Sequence, residues 1–479
     1  MRPPPKKKAR KKDLMKTPTN LIHAALVSAA LLAVVPVEAQ PVTQVAAGLY
    51  HSLFIKSDGS LRAMGRNDYG QLGDGTYNNT NLPELILSSG VAAVAAGGNH
   101  SLFLKSDGSL WTMGYNGQGQ LGDGTYTTAN QPRQIVASNV TAIAAGYSHS
   151  LFLKRDGSLW AVGDNNYGEL GDGTWTTTNL PKQIVASNVT AVAAGYYHSF
   201  FLKNDGSLWG MGANSDGQLG DGSYSQTNRP EQIVAANVAA INPGYWHSLF
   251  VKSDGSLWVM GKNDYDQLGD GTGVAHTNQP ERIVSSGVMA GDGGHGHSLF
   301  VKTNGSLWAM GRNNYGQLGN GANFDTNKPI QIVTNGVTAL VAGGYHNLFI
   351  KSDGSLWAVG YNYYGQLGIG NYSTSYPPWG TNTPQQIVAG VPAGYNLLSI
   401  QLLTSGDVRL TCVGLTGTNY ALERTFNLKP SNWVSLSTNP AGTGGLLVMT
   451  NTPNKTTNNF YRMRFVPKRI ASRAASLQR

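Results

Sequence analysis

Histidine recurs in this 479-residue chain at a nearly fixed interval. His51, His100, His149, His198, His247, His297 and His346 are 49, 49, 49, 49, 50 and 49 residues apart. Imidazole is the commonest metal ligand and general base, so the pattern invites a metal or proton-transfer reading. The spacing argues against it, because one histidine in each of seven equivalent units stands at seven places around a ring and cannot converge on one ion. The expectation is structural, with each ring satisfying serine or backbone groups inside its own unit. His276, His295 and His297 cluster in the sixth region, yet a metal there needs further ligands that the sequence does not supply.

The carboxylates Asp74, Asp123, Asp172, Asp221 and Asp270 sit in Gly-Asp-Gly segments. They lack the dense run of oxygen ligands of a calcium loop, and Asn320 and Ile369 stand at that position in two copies. Turn capping is the better reading. Trp111, Trp160, Trp209, Trp258, Trp308 and Trp357 share one strand position, with Arg62 in the first copy, and read as packing between units. GxSxG, HExxH and the P-loop are missing. No catalytic residue, metal or cofactor is expected.

The elements that hold these residues come from one unit repeated from about Pro41 to Val388. Its clearest copy runs VTAIAAGYSHSLFLKRDGSLWAVGDNNYGELGDGTWTTTNLPKQIV. HSLFLK and SLWAVG alternate on either side of Asp-Gly, which predicts a hairpin closed by a type I′ turn. PKQIV and VTAIAAG add two strands, so the unit makes about four, the content of one propeller blade. Ring closure protects sheet edges. PxxI segments at Pro83, Pro132, Pro181, Pro230, Pro280, Pro329 and Pro384 follow the seven hairpins and none precedes the first. Gln385 to Val388 is therefore expected to pair beside Val42 to Ala46 and fasten the last blade to the first.

The combination AAGxxHSLFLKxDGSLWxxGxNxYGQLGDGT resembles the regulator of chromosome condensation family, over seven copies and roughly three quarters of the chain. The resemblance implies a seven-bladed β-propeller, used for guanine-nucleotide exchange and chromatin docking in eukaryotes and as a protein-binding scaffold elsewhere. It also includes secreted bacterial relatives that inhibit β-lactamases by covering the active-site mouth with one propeller face. No motif here accepts a transfer of exchange residues. The fold expected is all-β, with the propeller over 40–395 and a small β-sandwich-like module over 396–466. That module carries the alternating stretches DVRLTCVGL, NYALERTF, WVSL, GGLLVMT and NFYRMRF, and resembles C-terminal modules on secreted proteins of environmental bacteria.

Charge divides unevenly. Residues 1–40 hold 8 Lys/Arg against 2 Asp/Glu, residues 425–479 hold 8 against none, and residues 41–424 hold 19 against 24. The net values are +6, +8 and −5, so the body lacks the basic stripe that nucleic-acid binding requires. At the N-terminus a basic region precedes an apolar run from Leu21 to Val35 and the small-x-small Val37-Glu38-Ala39. This predicts a signal peptide over 1–39, since the run is shorter than the roughly 20 residues that span a bilayer. Initiation at Met15 is an alternative to Met1. Residues 467–479 read as a basic mobile tail. Cys412 is the single cysteine and has no internal partner. The chain is expected outside the cytoplasm, secreted or on the cell surface, as a monomer.

Comparing the copies separates scaffold from surface, because a position that varies is free to serve a partner. Before each histidine stand Tyr50, Asn99, Ser148, Tyr197, Trp246, Gly296 and Tyr345. After SLWxxG stand Arg66, Tyr115, Asp164, Ala213, Lys262, Arg312 and Tyr361. Aromatic and arginine side chains are the types enriched at binding hot spots. The seventh copy spans 15 positions from Ile369 to Pro384 where most copies span 9, and its extra segment holds Tyr372, Tyr376 and Trp379. The candidate partner-binding residues are Tyr50, Arg66, Tyr115, Tyr197, Trp246, Lys262, Arg312, Tyr345, Tyr361, Tyr372, Tyr376 and Trp379. The function expected is a non-enzymatic exported scaffold gripping a protein, or a glycan, through loops on one face. The alternatives are an inhibitor of an extracellular enzyme such as a β-lactamase, and a hydrolase or lyase with a site in the central channel.

Overall fold

The computed structural model describes residues 40–374 and 379–390 with their side chains, and six strands between 397 and 466 by their backbone. The expected signal peptide, the basic tail and Tyr376 lie outside the described residues. Among those described there are strands and turns and no helix.

The first blade consists of β1 (Val42–Ala47), β2 (His51–Lys56), β3 (Leu61–Gly65) and β4 (Thr80–Leu87), hydrogen-bonded in that order. All three pairings are antiparallel. Six more sheets repeat this order as far as Val388, making a seven-bladed β-propeller. The alternation within β2 explains how blades join. Leu53 and Ile55 pack against Val91, Phe103 and Met113 of the second blade. Phe54, between them in sequence, packs against Leu348, Ile350 and Leu356 of the seventh. Side chains alternate across a strand, so β2 is buried on both faces and its equivalents form successive cores between blades. Each fully buried Phe or Leu contributes roughly 1.5–3 kcal/mol.

Two expectations about connections are corrected. Within the hairpin only the glycine takes a positive φ, as in Gly108 at 80°. Gly108 N donates to Lys105 O at 2.9 Å and Lys105 N to Ser109 O at 3.0 Å, giving a three-residue loop in which a type I turn runs into a glycine bulge. Asp107 keeps a negative φ because its Oδ1 caps Ser109 N at 2.8 Å. A type I′ turn would require both central residues at positive φ.

The closing segment does not cross to the first blade. Gly380–Val388 pairs with Leu356–Tyr361 in the seventh blade, and β1 pairs only with β2. Seven VTAIAAG-like strands precede the hairpins just as seven PxxI strands follow them, so every blade is complete within its own stretch and none is left to donate. The ring closes instead through the packing described for Phe54, with Val42 N donating to Gly354 O and Gly344 N to Gly48 O, both at 3.0 Å.

The seven histidines also act between blades, not within them. His51 Nε2 meets Ser101 Oγ at 2.9 Å and His149 Nε2 meets Ser199 Oγ at 2.8 Å. His346 Nε2 returns to Ser52 Oγ at 2.8 Å, completing the circle. Ser101 Oγ spends its proton on Gln71 O at 2.8 Å, so it accepts from the imidazole. At the sixth seam Asn347 Oδ1, 2.7 Å from His297 Nε2, can only accept. The Nε2 tautomer is thereby set around the ring. Close packing explains the glycine three residues before each repeated histidine, since a Cβ on Gly48 would lie 2.3 Å from His51 Cε1.

The C-terminal strands belong to a second unit. It contains two three-stranded sheets. One joins Leu397–Leu402, Val408–Val413 and Leu446–Asn451, and the other joins Val434–Pro440, Asn419–Thr425 and Phe460–Val466. The strand Leu397–Leu402 was not anticipated.

Candidate functional site

The two variable positions are adjacent in every blade. Arg66 N donates to Tyr50 O at 2.9 Å, Tyr115 N to Asn99 O at 2.8 Å, Ala213 N to Tyr197 O at 2.8 Å and Lys262 N to Trp246 O at 2.9 Å. The same bond joins Asp164 to Ser148, Arg312 to Gly296 and Tyr361 to Tyr345. The first position lies in the loop between β1 and β2 and the second at the end of β3. Because β1 and β3 run in the same direction, both loops emerge at one end of the blade. One propeller face therefore carries both sets, while the Asp-Gly turns lie on the other.

On that face the rings form a continuous contact chain. Tyr147 stacks on Tyr196 with centroids 4.0 Å apart, Tyr196 meets Tyr245 at 4.8 Å, Tyr245 meets His295 at 5.1 Å, His295 stacks on Tyr345 at 5.0 Å and Tyr345 stacks on Tyr50 at 5.8 Å. Tyr197 and Trp246 pack beside it, each touching Tyr196. Tyr361 reaches Tyr50 at 5.8 Å, and Trp379 from the long seventh loop lies 6.3 Å from Tyr361. Tyr115 meets Tyr69 at 5.0 Å, and Arg66, lying over both Tyr69 and Tyr50, connects that pair to the chain. Tyr372 instead bridges the closing seam, with its hydroxyl donating to Asn79 O at 3.1 Å. The second blade interrupts the chain with Gly98 and Asn99.

Several members were missed. Tyr147, Tyr196, Tyr245 and His295 sit two residues before the repeated histidine, where Leu49, Gly98 and Gly344 also occur. That variation was the available signal. Tyr69, Tyr167, Tyr265, Tyr315 and Tyr364 belong to the NxYGQLG loop, which reads as scaffold because tyrosine recurs there. Farther out, Tyr77, Tyr126, Trp175 and Tyr224 are exposed at one loop position, and Phe324, one residue further along its own copy, is exposed most of all at 81%.

Charge on the face is local and mixed. Arg66 lies over the rings of Tyr50, Tyr69 and Tyr364 and pairs with Asp68 at 2.7 Å. Arg312 lies 4.5 Å from the Tyr265 centroid and bonds Asn314 Oδ1 at 2.9 Å. Lys262 pairs with Asp264 at 3.0 Å. Burial pushes the hydroxyls of Tyr50, Tyr196, Tyr245 and Tyr361 upward, so the rings stay neutral. Glu169 replaces the glutamine of the other copies. Burial, with Asp164 nearby, pushes its carboxyl up to about 8. Protonated at neutral pH, it keeps the amide's bond by accepting from Tyr167 N at 2.9 Å.

The remaining chemistry resolves into structure. Asp74 caps Thr76 N at 2.8 Å and receives Asn67 Nδ2 at 3.0 Å. Trp160 lies between the second and third blades, stacked on Phe152 and under Lys154, with Nε1 donating to Ser158 Oγ at 2.9 Å. His276 lies on an outer strand against Tyr224, away from the inner strands that precede His295 and His297. Among the described residues no group of three or more His, Cys, Asp or Glu side chains is placed to hold a metal.

The inner strands enclose a cavity of about 330 Å³, rimmed by Tyr147, Tyr196 and Tyr245. One carboxylate lies on its wall, Asp292, which the sequence reading did not single out. Burial pushes it up to about 7, against the pull of two backbone donors. These are Ala342 N at 2.9 Å and Gly293 N at 3.0 Å.

A family model described as RCC1-like domain matches residues 85–401. Models of the regulator of chromosome condensation (RCC1) repeat match residues 42–71 and 58–104. No curated protein matches. Among solved structures, human WBSCR16 is similar at 24% identity and a TM-score of 0.60, covering 65% of this chain and 87% of that one. Prp20p from Saccharomyces cerevisiae, described with its binding to Gsp1p and histones, is similar at 20% identity and 0.60, covering 73% and 88%. Yeast RCC1 (Prp20) bound by Kap60 gives 19% and 0.61, covering 80% and 90%. At these identities the likeness is one of fold.

Proposed function

The chain belongs to the RCC1-like domain family, and from that premise we propose that its propeller is an exported, non-catalytic scaffold that grips a protein through the tyrosine-rich face. The observation that carries this reading is the chain of rings from Tyr147 through Tyr245 to Tyr50. Rigid aromatic rings offer contact area at little conformational cost, and half-buried tyrosines already fixed by their neighbours lose less freedom on binding. The yeast relative is described with binding to Gsp1p and histones, which supports a protein as the class of partner.

Export is part of this reading and rests on the N-terminal basic and apolar segments, which support a setting outside the cytoplasm. Inhibition of an extracellular enzyme is a narrower form of the same reading, favoured by the concentration of the rings at one end of the propeller.

The test is capture with the full chain from Gln40 onward, against secreted and surface proteins and against a glycan array. One saturable protein partner, with affinity reduced about a hundredfold or more in Tyr197→Ala/Trp246→Ala, is the expected result. Saturable glycan binding alone, or unchanged affinity in the double variant, would overturn it.

A further inference from the structure

The channel wall departs from its own repeat in one sector. At one lining position the blades present, in order, Ala46, Ala95, Ala144, Ala193, Asn242, Asp292 and Val341. Five are small and apolar, and the two polar ones are neighbours. Among the described residues Asp292 is the one carboxyl on this wall, and no lysine, arginine or histidine lines it. Its bonds to Gly293 N and Ala342 N serve blade packing, but the other blades keep the same strand geometry with an uncharged side chain. The blade does not require the charge. A carboxylate in a cavity without a cation is electrostatically unbalanced, and the rim above it is built of tyrosine rings, whose faces attract cations. At about 330 Å³ the cavity is within the range of small-ligand sites.

We propose that the channel is a second binding site, separate from the face, which takes a primary ammonium or guanidinium group between the Asp292 carboxylate, the Asn242 amide and the tyrosine rim. Two sources share that chemistry, a free amine and a lysine or arginine side chain of a docked protein.

Isothermal titration of the full chain with n-butylammonium, sodium butyrate and the end-blocked tripeptide acetyl-Gly-Lys-Gly-amide, whose one ammonium is the lysine side chain, tests the site. The expected result is saturable one-to-one binding of butylammonium, no binding of butyrate, and at least a tenfold loss of affinity in Asp292→Asn, whose amide oxygen still accepts from Ala342 N. Thermal melting establishes that this variant is folded. If it is not, the contrast between ammonium and butyrate on the native chain decides the matter. A tripeptide bound over tenfold more tightly than butylammonium identifies a protein side chain as the source, and equal affinity identifies a free amine. Butyrate binding equal to that of the ammonium, absence of saturable ammonium binding, or unchanged affinity in the folded variant would overturn the proposal.

Discussion

A repeated residue and a departure from it have different physical meanings. Burial pushes the imidazoles of His51, His100, His149, His198, His247 and His346 down to about 3, and that of His297 to about 4. In the unfolded chain each titrates near 6.5. Below pH 6.5 the unfolded state therefore binds protons that the native state refuses, and stability falls as pH drops toward 4. Each ring contributes roughly 1.4 kcal/mol per pH unit across that window, so seven rings make the fall steep. Thermal melting between pH 7.5 and 4.5 should show a steadily decreasing midpoint, and a flat profile would mean that the rings are not neutral bolts. Glu169 has the opposite sign. Its folded value of about 8 lies above its ordinary one, so stability is fully present below pH 4.5 and is lost as pH rises toward 8. Glu169→Gln, which restores the residue of most copies, should stabilise the protein by a few kcal/mol at pH 9 and leave melting unchanged at pH 4. The histidine period was legible in sequence, but the partners of the rings were not, because a spacing of 49 does not say whether a bond stays inside a unit or crosses to the next.

The blade was legible because two periods agree within it, alternation along each strand and recurrence of the whole unit. What failed was phase. Counting units from the PxxI strand left an apparent strand to donate, whereas counting from VTAIAAG leaves none. The type I′ assignment failed for a local reason, since Asp107 prefers to cap Ser109 N over taking a positive φ. Closure by ordinary packing has a measurable consequence. Phe54 lies in the seam between the seventh and first blades, and Phe152 in the seam between the second and third. Both are essentially fully buried. Phe54→Ala and Phe152→Ala should cost about the same, roughly 3–5 kcal/mol each, in denaturant unfolding. A cost near zero at Phe54 alone would mean that the ring is open at its seam.

Across the molecule the seven blades are equivalent in backbone and unequal in surface. Variation between copies found Tyr50, Tyr197, Trp246, Tyr345 and Tyr361, and the structure adds Tyr147, Tyr196, Tyr245 and His295 to the same face. The second blade, with Gly98 and Asn99 at those positions, contributes least. Sevenfold symmetry of the scaffold would spread these side chains evenly, whereas the chain of rings runs from Tyr147 in the third blade through His295 in the sixth to Tyr50 in the first. With the captured partner, Tyr196→Ala and Tyr345→Ala should each weaken binding at least tenfold, while Asn99→Ala should change it less than threefold. Tyr345 touches Tyr50, His295, Tyr315 and Tyr361, so its removal loosens several rings at once, and Tyr345→Phe should recover most of the loss by restoring the ring contacts without the hydroxyl. Equal losses at Asn99 and Tyr345 would place the partner on some other surface, because a contact spread evenly around the ring has no use for an aromatic chain that stops at one blade.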